Sequence, residues 1–134
     1  MTKKLLIILL FLLSIGVASA AYTDPLQDSG LTVDEFKEQC VDVTYKDLKT
    51  NDSLINQSVK LTGKVYLVHS DSMMFYVDGN NDQEVYVYLL SGKDHSNIKK
   101  YEGLDATIYC RFEELKNMAF GANNVPHLTI VDIE

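Results

Sequence analysis

Five tyrosines, Tyr66, Tyr76, Tyr86, Tyr88 and Tyr109, occupy the polar phase of segments in which apolar residues recur at every second position. On a sheet that phase faces away from the core. An outward aromatic ring can stack on a base or a sugar ring. Tyr66, Tyr76, Tyr86 and Tyr88 are therefore the candidate ligand-binding residues, and Lys60, Lys64 and Arg111 share their phase as hydrogen-bond donors. The same pattern also suits ordinary cross-strand pairing, because tyrosine is favoured on half-exposed strands.

Other chemistries find little support. Asp78, Asn80, Asp82 and Glu84 alternate like the start of a calcium loop, but the sixth and twelfth positions are Gln83 and Leu89. Calcium loops need glycine and a bidentate glutamate there. His69, His95 and His127 stand in or beside expected loops, far from one another and from both cysteines, so no metal site is expected. No serine or cysteine has a base at motif spacing, and the 7 glycines are scattered rather than gathered into a phosphate-binding loop. Neither enzymatic activity nor a cofactor is expected.

The elements that would position the tyrosines follow from the change of period. Residues 21–31 read as a flexible lead-in. Thr32-Val33-Asp34-Glu35 forms a capping box, and Val33, Phe36 and Cys40 share a helical face, which predicts a helix over 33–41. A helical turn from Tyr45 to Leu48 follows Thr44. From Val59 the period becomes two: Val59, Leu61, Gly63, Val65 and Leu67 point one way, and Lys60, Thr62, Lys64, Tyr66 and Val68 the other. That predicts one long strand, bent or bulged at Gly63. Strands at 73–78 and 84–90 form a hairpin, and a short helix over 96–102 ends at Gly103. Further strands cover 105–112 and 127–133, joined by a loop of about thirteen residues. Five strands with a helix between the third and fourth predict a mainly β protein, a small closed Greek-key barrel whose end the helix plugs.

The first twenty residues belong to something else. Met1-Thr2-Lys3-Lys4 is positive, Leu5 to Val17 is apolar, and Ala18-Ser19-Ala20 has the small-x-small cleavage pattern of a secretory leader. A retained membrane anchor is the weaker alternative, since crossing the hydrocarbon needs roughly 20 apolar residues. Cleavage after Ala20 makes the protein secreted or displayed at the cell surface. It leaves 10 basic against 19 acidic residues, a formal charge of −9 in place of −7. Such acidity disfavours nucleic acid, whose binding depends on Lys and Arg at phosphates. Outside the cytosol Cys40 and Cys110 are expected to form a disulfide, contributing about 4 kcal/mol on the chain-entropy model. Asn51-Asp52-Ser53 and Asn56-Gln57-Ser58 match the glycan acceptor triplet, with Asn51 and Asn56 as acceptors.

The runs Val43-Thr44-Tyr45-Lys46-Asp47-Leu48, Asn51-Asp52-Ser53-Leu54, Val59-Lys60-Leu61-Thr62-Gly63-Lys64-Val65, Val85-Tyr86-Val87 and Leu104-Asp105-Ala106-Thr107-Ile108-Tyr109 carry a resemblance. Over residues 36–134 the chain resembles the small exported OB-fold proteins of bacteria and archaea that share a tRNA-anticodon-like barrel. Cys110 departs from the glycine that usually ends their fourth strand. The resemblance implies a five-stranded OB-fold barrel and export. It brings no catalytic residues and no warrant for tRNA binding. The expected function is an exported, non-catalytic binding module for a glycan, a peptide or another protein. The alternatives are a structural or accessory cell-envelope protein without a small ligand and, behind it, an exported single-stranded nucleic-acid binder.

Overall fold

The computed structural model describes residues 22–118 and 123–134. The expected leader, residues 1–20, lies outside them. The elements are α1 (Pro25–Ser29), α2 (Val33–Gln39), β1 (Val41–Asp42), α3 (Tyr45–Thr50), a 3-10 turn (Asp52–Leu54), β2 (Ser58–Val68), β3 (Ser72–Val77), β4 (Glu84–Tyr88), α4 (Ser96–Lys99), β5 (Asp105–Lys116) and β6 (Val125–Ile133). Thr32 and Thr44 each close a capping box, with Glu35 and Asp47 returning the bond to the cap amide. These short helices are held at their N-termini by local side-chain chemistry, as their sequences predict.

The strands form one sheet in the order β1-β2-β3-β4-β6-β5, and β5 pairs again with β2 to close it. The β2–β3, β3–β4, β2–β5 and β5–β6 pairings are antiparallel, whereas β4–β6 is parallel. β1 is a two-residue parallel addition at Val41 and Asp42. A closed five-stranded barrel in this order, with a helix between its third and fourth strands, is an OB-fold. Its interior is filled by the inward phase of each strand, including Val59, Phe75, Val87, Ile108, Phe112 and Leu128, all 0% exposed. Leu48 of α3 and Ile98 of α4 join the same core. Each such burial stabilises by roughly 1.5–3 kcal/mol against the chain's lost entropy.

The expected bend in the long strand is present, but displaced. The register of β2 against β3 shifts between Val65 and Leu67, so one extra residue inverts the phase beyond it. Leu67, expected inside, is 40% exposed, and Val68, expected outside, packs on the core. Gly63 has a different role. A Cβ there would lie 2.1 Å from the Tyr76 carbonyl oxygen, so only glycine lets β2 and β3 approach this closely.

Other boundaries also move. Residues expected to form a flexible lead-in contain α1, capped by the Asp24 side chain and ended by Gly30 at φ 72°. α2 stops at Gln39, leaving Val33 38% exposed while Phe36 is buried. β5 runs on to Lys116 and β6 starts at Val125, because Leu115–Pro126 and Lys116–Val125 continue the ladder. Pro126 is tolerated there because β4 first pairs with β6 at His127.

Gly63→Ala is expected to destabilise the protein by about 3 kcal/mol, at the upper end of overpacking costs. Gly79→Ala, at φ 72° with open space around it, is expected to cost about 1 kcal/mol. Urea denaturation of both variants checks the difference, and equal midpoints would contradict the close-approach role.

Candidate ligand-binding face

The outward phases of β2, β3, β4 and β6 lie side by side. Lys64 is opposite Tyr76, Tyr76 opposite Glu84, Met74 opposite Tyr86, and Tyr86 opposite His127. This register brings the four candidate tyrosines onto one band and sorts them into two groups. Tyr66 and Tyr76 stack with ring centroids 5.0 Å apart and planes 23° from parallel. Tyr66 is 46% exposed, so this pair presents an open aromatic ledge. Burial, followed by the neighbouring Tyr66 and Glu84, raises the Tyr76 phenol above its ordinary pKa.

Tyr86 and Tyr88 form the second group. Their rings meet edge-on at 4.9 Å, and the His127 ring stacks on Tyr86 at 5.0 Å. His127 also approaches Tyr88 at 5.7 Å and pairs across the sheet with Glu114. It is 3% exposed, and neither ring nitrogen has a hydrogen-bond partner among the described residues. Burial, then the positive charge of Lys116, lowers its pKa, and Glu114 opposes that effect.

This second group is covered. The Tyr22 ring packs edge-on against Tyr88 at 4.7 Å, and its phenol donates to Glu114. Burial and the Glu114 carboxylate hold the Tyr22 phenol far above its usual pKa, so it remains a donor. Beyond it, Arg111 donates to the Thr23 carbonyl and to Asp28, both at 2.8 Å. Arg111 also holds Glu113 at 2.9 Å, and Glu113 accepts the Thr129 hydroxyl at 2.6 Å. Asp24 meets Lys93 at 2.8 Å.

Two expected donors are thus engaged elsewhere. Arg111 is committed to this network, and Lys60 lies 5.7 Å from the centre of the Tyr109 ring. Tyr109 itself leaves the face. It is 6% exposed, donates to Glu134, and has the Lys37 ammonium 4.8 Å from its ring centroid.

Cys40 and Cys110 are free thiols, so the expected bridge is not formed here. Cys110 faces the core at 0% exposure. Cys40 ends α2 with its sulfur against the backbone of Cys110, and burial pushes its thiol up to about 11. A sulfur directed at its neighbour's backbone does not meet its neighbour's sulfur. Asn51 and Asn56 are both exposed. The Asn51 side chain accepts from the Ser53 amide and hydroxyl, and Asn56 holds a φ of 69°.

Sequence reasoning missed Tyr22, Glu113, Glu114 and His127 as parts of this face. His127 was expected to open the last strand beside a loop, and it lies within β6, but its burial among the tyrosine rings was not foreseen. The alternation of His127 and Thr129 with Leu128 and Ile130 was the available signal. Nothing local marks Tyr22, whose partner is 92 residues away.

No family model matches the chain, and no curated protein matches it. Among solved structures it is similar to U. maydis replication protein A bound to ssDNA, at 13% identity. That match covers 72% of this chain and 71% of the other, with a TM-score of 0.46. A similarity of that size says nothing about this chain's ligand. Its barrel topology defines an OB-fold protein, and its aromatic face is the kind of surface on which such barrels bind.

The folded state holds His127 neutral, with a pKa below the 6.5 of a free imidazole. Its contribution to stability is complete above that value and is lost as pH falls below it, because the unfolded chain takes up the proton more readily. His127→Phe is expected to flatten the decline in urea midpoint as pH falls below about 6.5. The same slope in both proteins would remove this assignment.

Proposed function

We propose that this protein is an exported, non-catalytic binding module whose ligand docks on the open tyrosine ledge of an OB-fold barrel. The stacked Tyr66–Tyr76 pair carries the reading, because it places an exposed aromatic surface beside Met74 and Tyr86 on the outer sheet face. Such a surface stacks on sugar rings, on aromatic or aliphatic side chains and on bases alike. Charge chooses among them. At −9 after loss of the leader, the protein repels a polyanion, so a glycan, a peptide or a protein surface is favoured over nucleic acid.

Export rests on the leader pattern of residues 1–20 and on the resemblance to small exported OB-fold proteins with a tRNA-anticodon-like barrel. Among the described residues no helix is long and apolar enough to cross a membrane. Protein recovered from outside the cell is expected to begin at Ala21. N-terminal sequencing checks this, and an intact Met1 would leave the export reading without support.

A glycan and peptide array probed with the chain from Ala21 onward identifies the ligand class. Tyr66→Ala or Tyr76→Ala is expected to weaken the ligand found at least about tenfold, equivalent to about 1.4 kcal/mol, without changing the urea midpoint. No retention on single-stranded DNA is expected at about 50 mM salt. Strong retention that falls steeply with added salt would overturn the ligand assignment. An array without hits, together with wild-type behaviour of both tyrosine variants, would leave a structural envelope component as the better reading.

A further inference from the structure

The segment from Tyr22 to Gly30 lies over the outer face of β4, β6 and β5, and its contacts define what that face recognises. Tyr88 receives an aromatic ring edge-on, and Glu114 accepts that ring's phenol. Arg111 donates to a main-chain carbonyl, that of Thr23, at 2.8 Å. Two cations read carboxylates, Lys93 at Asp24 and Arg111 at Asp28, each at 2.8 Å. A ring pocket, a donor to a peptide carbonyl and two spaced cations together recognise a polypeptide. A neutral sugar offers no carboxylate to either cation.

The attachment is light. Within α1 only Pro25 is buried. The side chains of Lys93 and Asp28 are 47% and 46% exposed, and ion pairs so exposed contribute little. Clefts flank the helix on both sides. One of about 290 Å³ is lined by Asp28, Phe36, Ser58 and Arg111. Another of about 140 Å³ is lined by Leu26, Lys93, His95 and Val131. Beneath the segment, Thr129 and His127 are 0% and 3% exposed.

We propose that this face is a peptide-docking site occupied by the protein's own residues 22–30, and that a partner peptide displaces them. That peptide carries an aromatic residue followed by acidic residues two and six positions later. The inference rests on the binding-module reading and names its partner class, at a part of the sheet separate from the Tyr66–Tyr76 ledge. A tethered segment competes at an effective concentration in the millimolar range, so the site is measurable in trans once the tether's own contacts are weakened.

The test uses a fluorescent synthetic peptide of residues 22–30 and the chain from Ala21 onward. The chain is either wild type or opened by Tyr22→Ala with Asp24→Ala. Anisotropy is expected to show the peptide binding the opened chain at least about tenfold more tightly than wild type. A peptide with Tyr22→Ala is expected to lose that binding. Adding Arg111→Ala to the opened chain is expected to weaken it about tenfold. Should that variant fail to fold, Lys93→Ala is expected to weaken it about threefold. Equal affinity for the wild-type and opened chains overturns the proposal. So does the absence of binding to a folded opened chain at about 1 mM peptide. If the peptide fails these measurements while an array ligand depends on Tyr66, this inference alone is overturned and the binding-module reading stands.

Discussion

The protein depends on β2 pairing with β3 along one edge and with β5 along the other. A flat strand cannot serve both partners of a small barrel, because closure requires strong local twist and coiling. Two features of β2 supply it. Gly63 lets the strand pass so near Tyr76 that a Cβ would meet its carbonyl oxygen. The register shift after Val65 then adds a residue and inverts the inward phase. Closure buries the core row of every strand and leaves no long unpaired edge. It also fixes which side chains share the outer face. The Tyr66–Tyr76 stack is a direct product of the bulge, since Tyr66 is the residue at which the register changes.

Outside the barrel the energetics differ. The core is apolar and continuous, whereas the β4–β6–β5 face is polar and is covered by a segment with one buried residue in its helix. Arg111 links the layers by contacting Glu113 on its own strand and Asp28 and Thr23 on the covering segment. Thr129 completes the carboxylate's shell. Buried polar groups need partners, and here the partners come from two chain segments more than 80 residues apart. His127 is the exception, held by ring stacking with both nitrogens unpaired among the described residues. The outer face thus has one region open to solvent and another already furnished with an aromatic ring and carboxylates.

Much of this could be read from the chain. The capping box at Thr32 is local, as are the helical turn after Thr44 and the hairpin of β3 and β4. The change of period at Val59 marked the start of the barrel, and the outward phase of Tyr66, Tyr76, Tyr86 and Tyr88 held. Boundaries slipped where tertiary pairing extended an element, as at Lys116 and Val125. Phase slipped where one extra residue entered, as at Leu67 and Val68. Tyr109 shows the limit of phase as a guide: it points outward as expected, but onto a wall covered by Lys37 and Glu134.

By itself the sequence determined the five barrel strands, their inward rows as far as the bulge in β2, the Thr32 cap and the acidity of the chain. These depend on residues within a few positions of one another, or on composition. Tertiary structure alone decided which outward residues meet. It split the tyrosines into an open pair and a covered pair, buried His127, turned Cys40 toward the backbone of Cys110, and laid the Tyr22 segment over the sheet. The reason is geometric. Alternation assigns a side chain to a face, but barrel closure and the path of the N-terminal segment determine what lies above that face, and those contacts join residues that no local pattern relates.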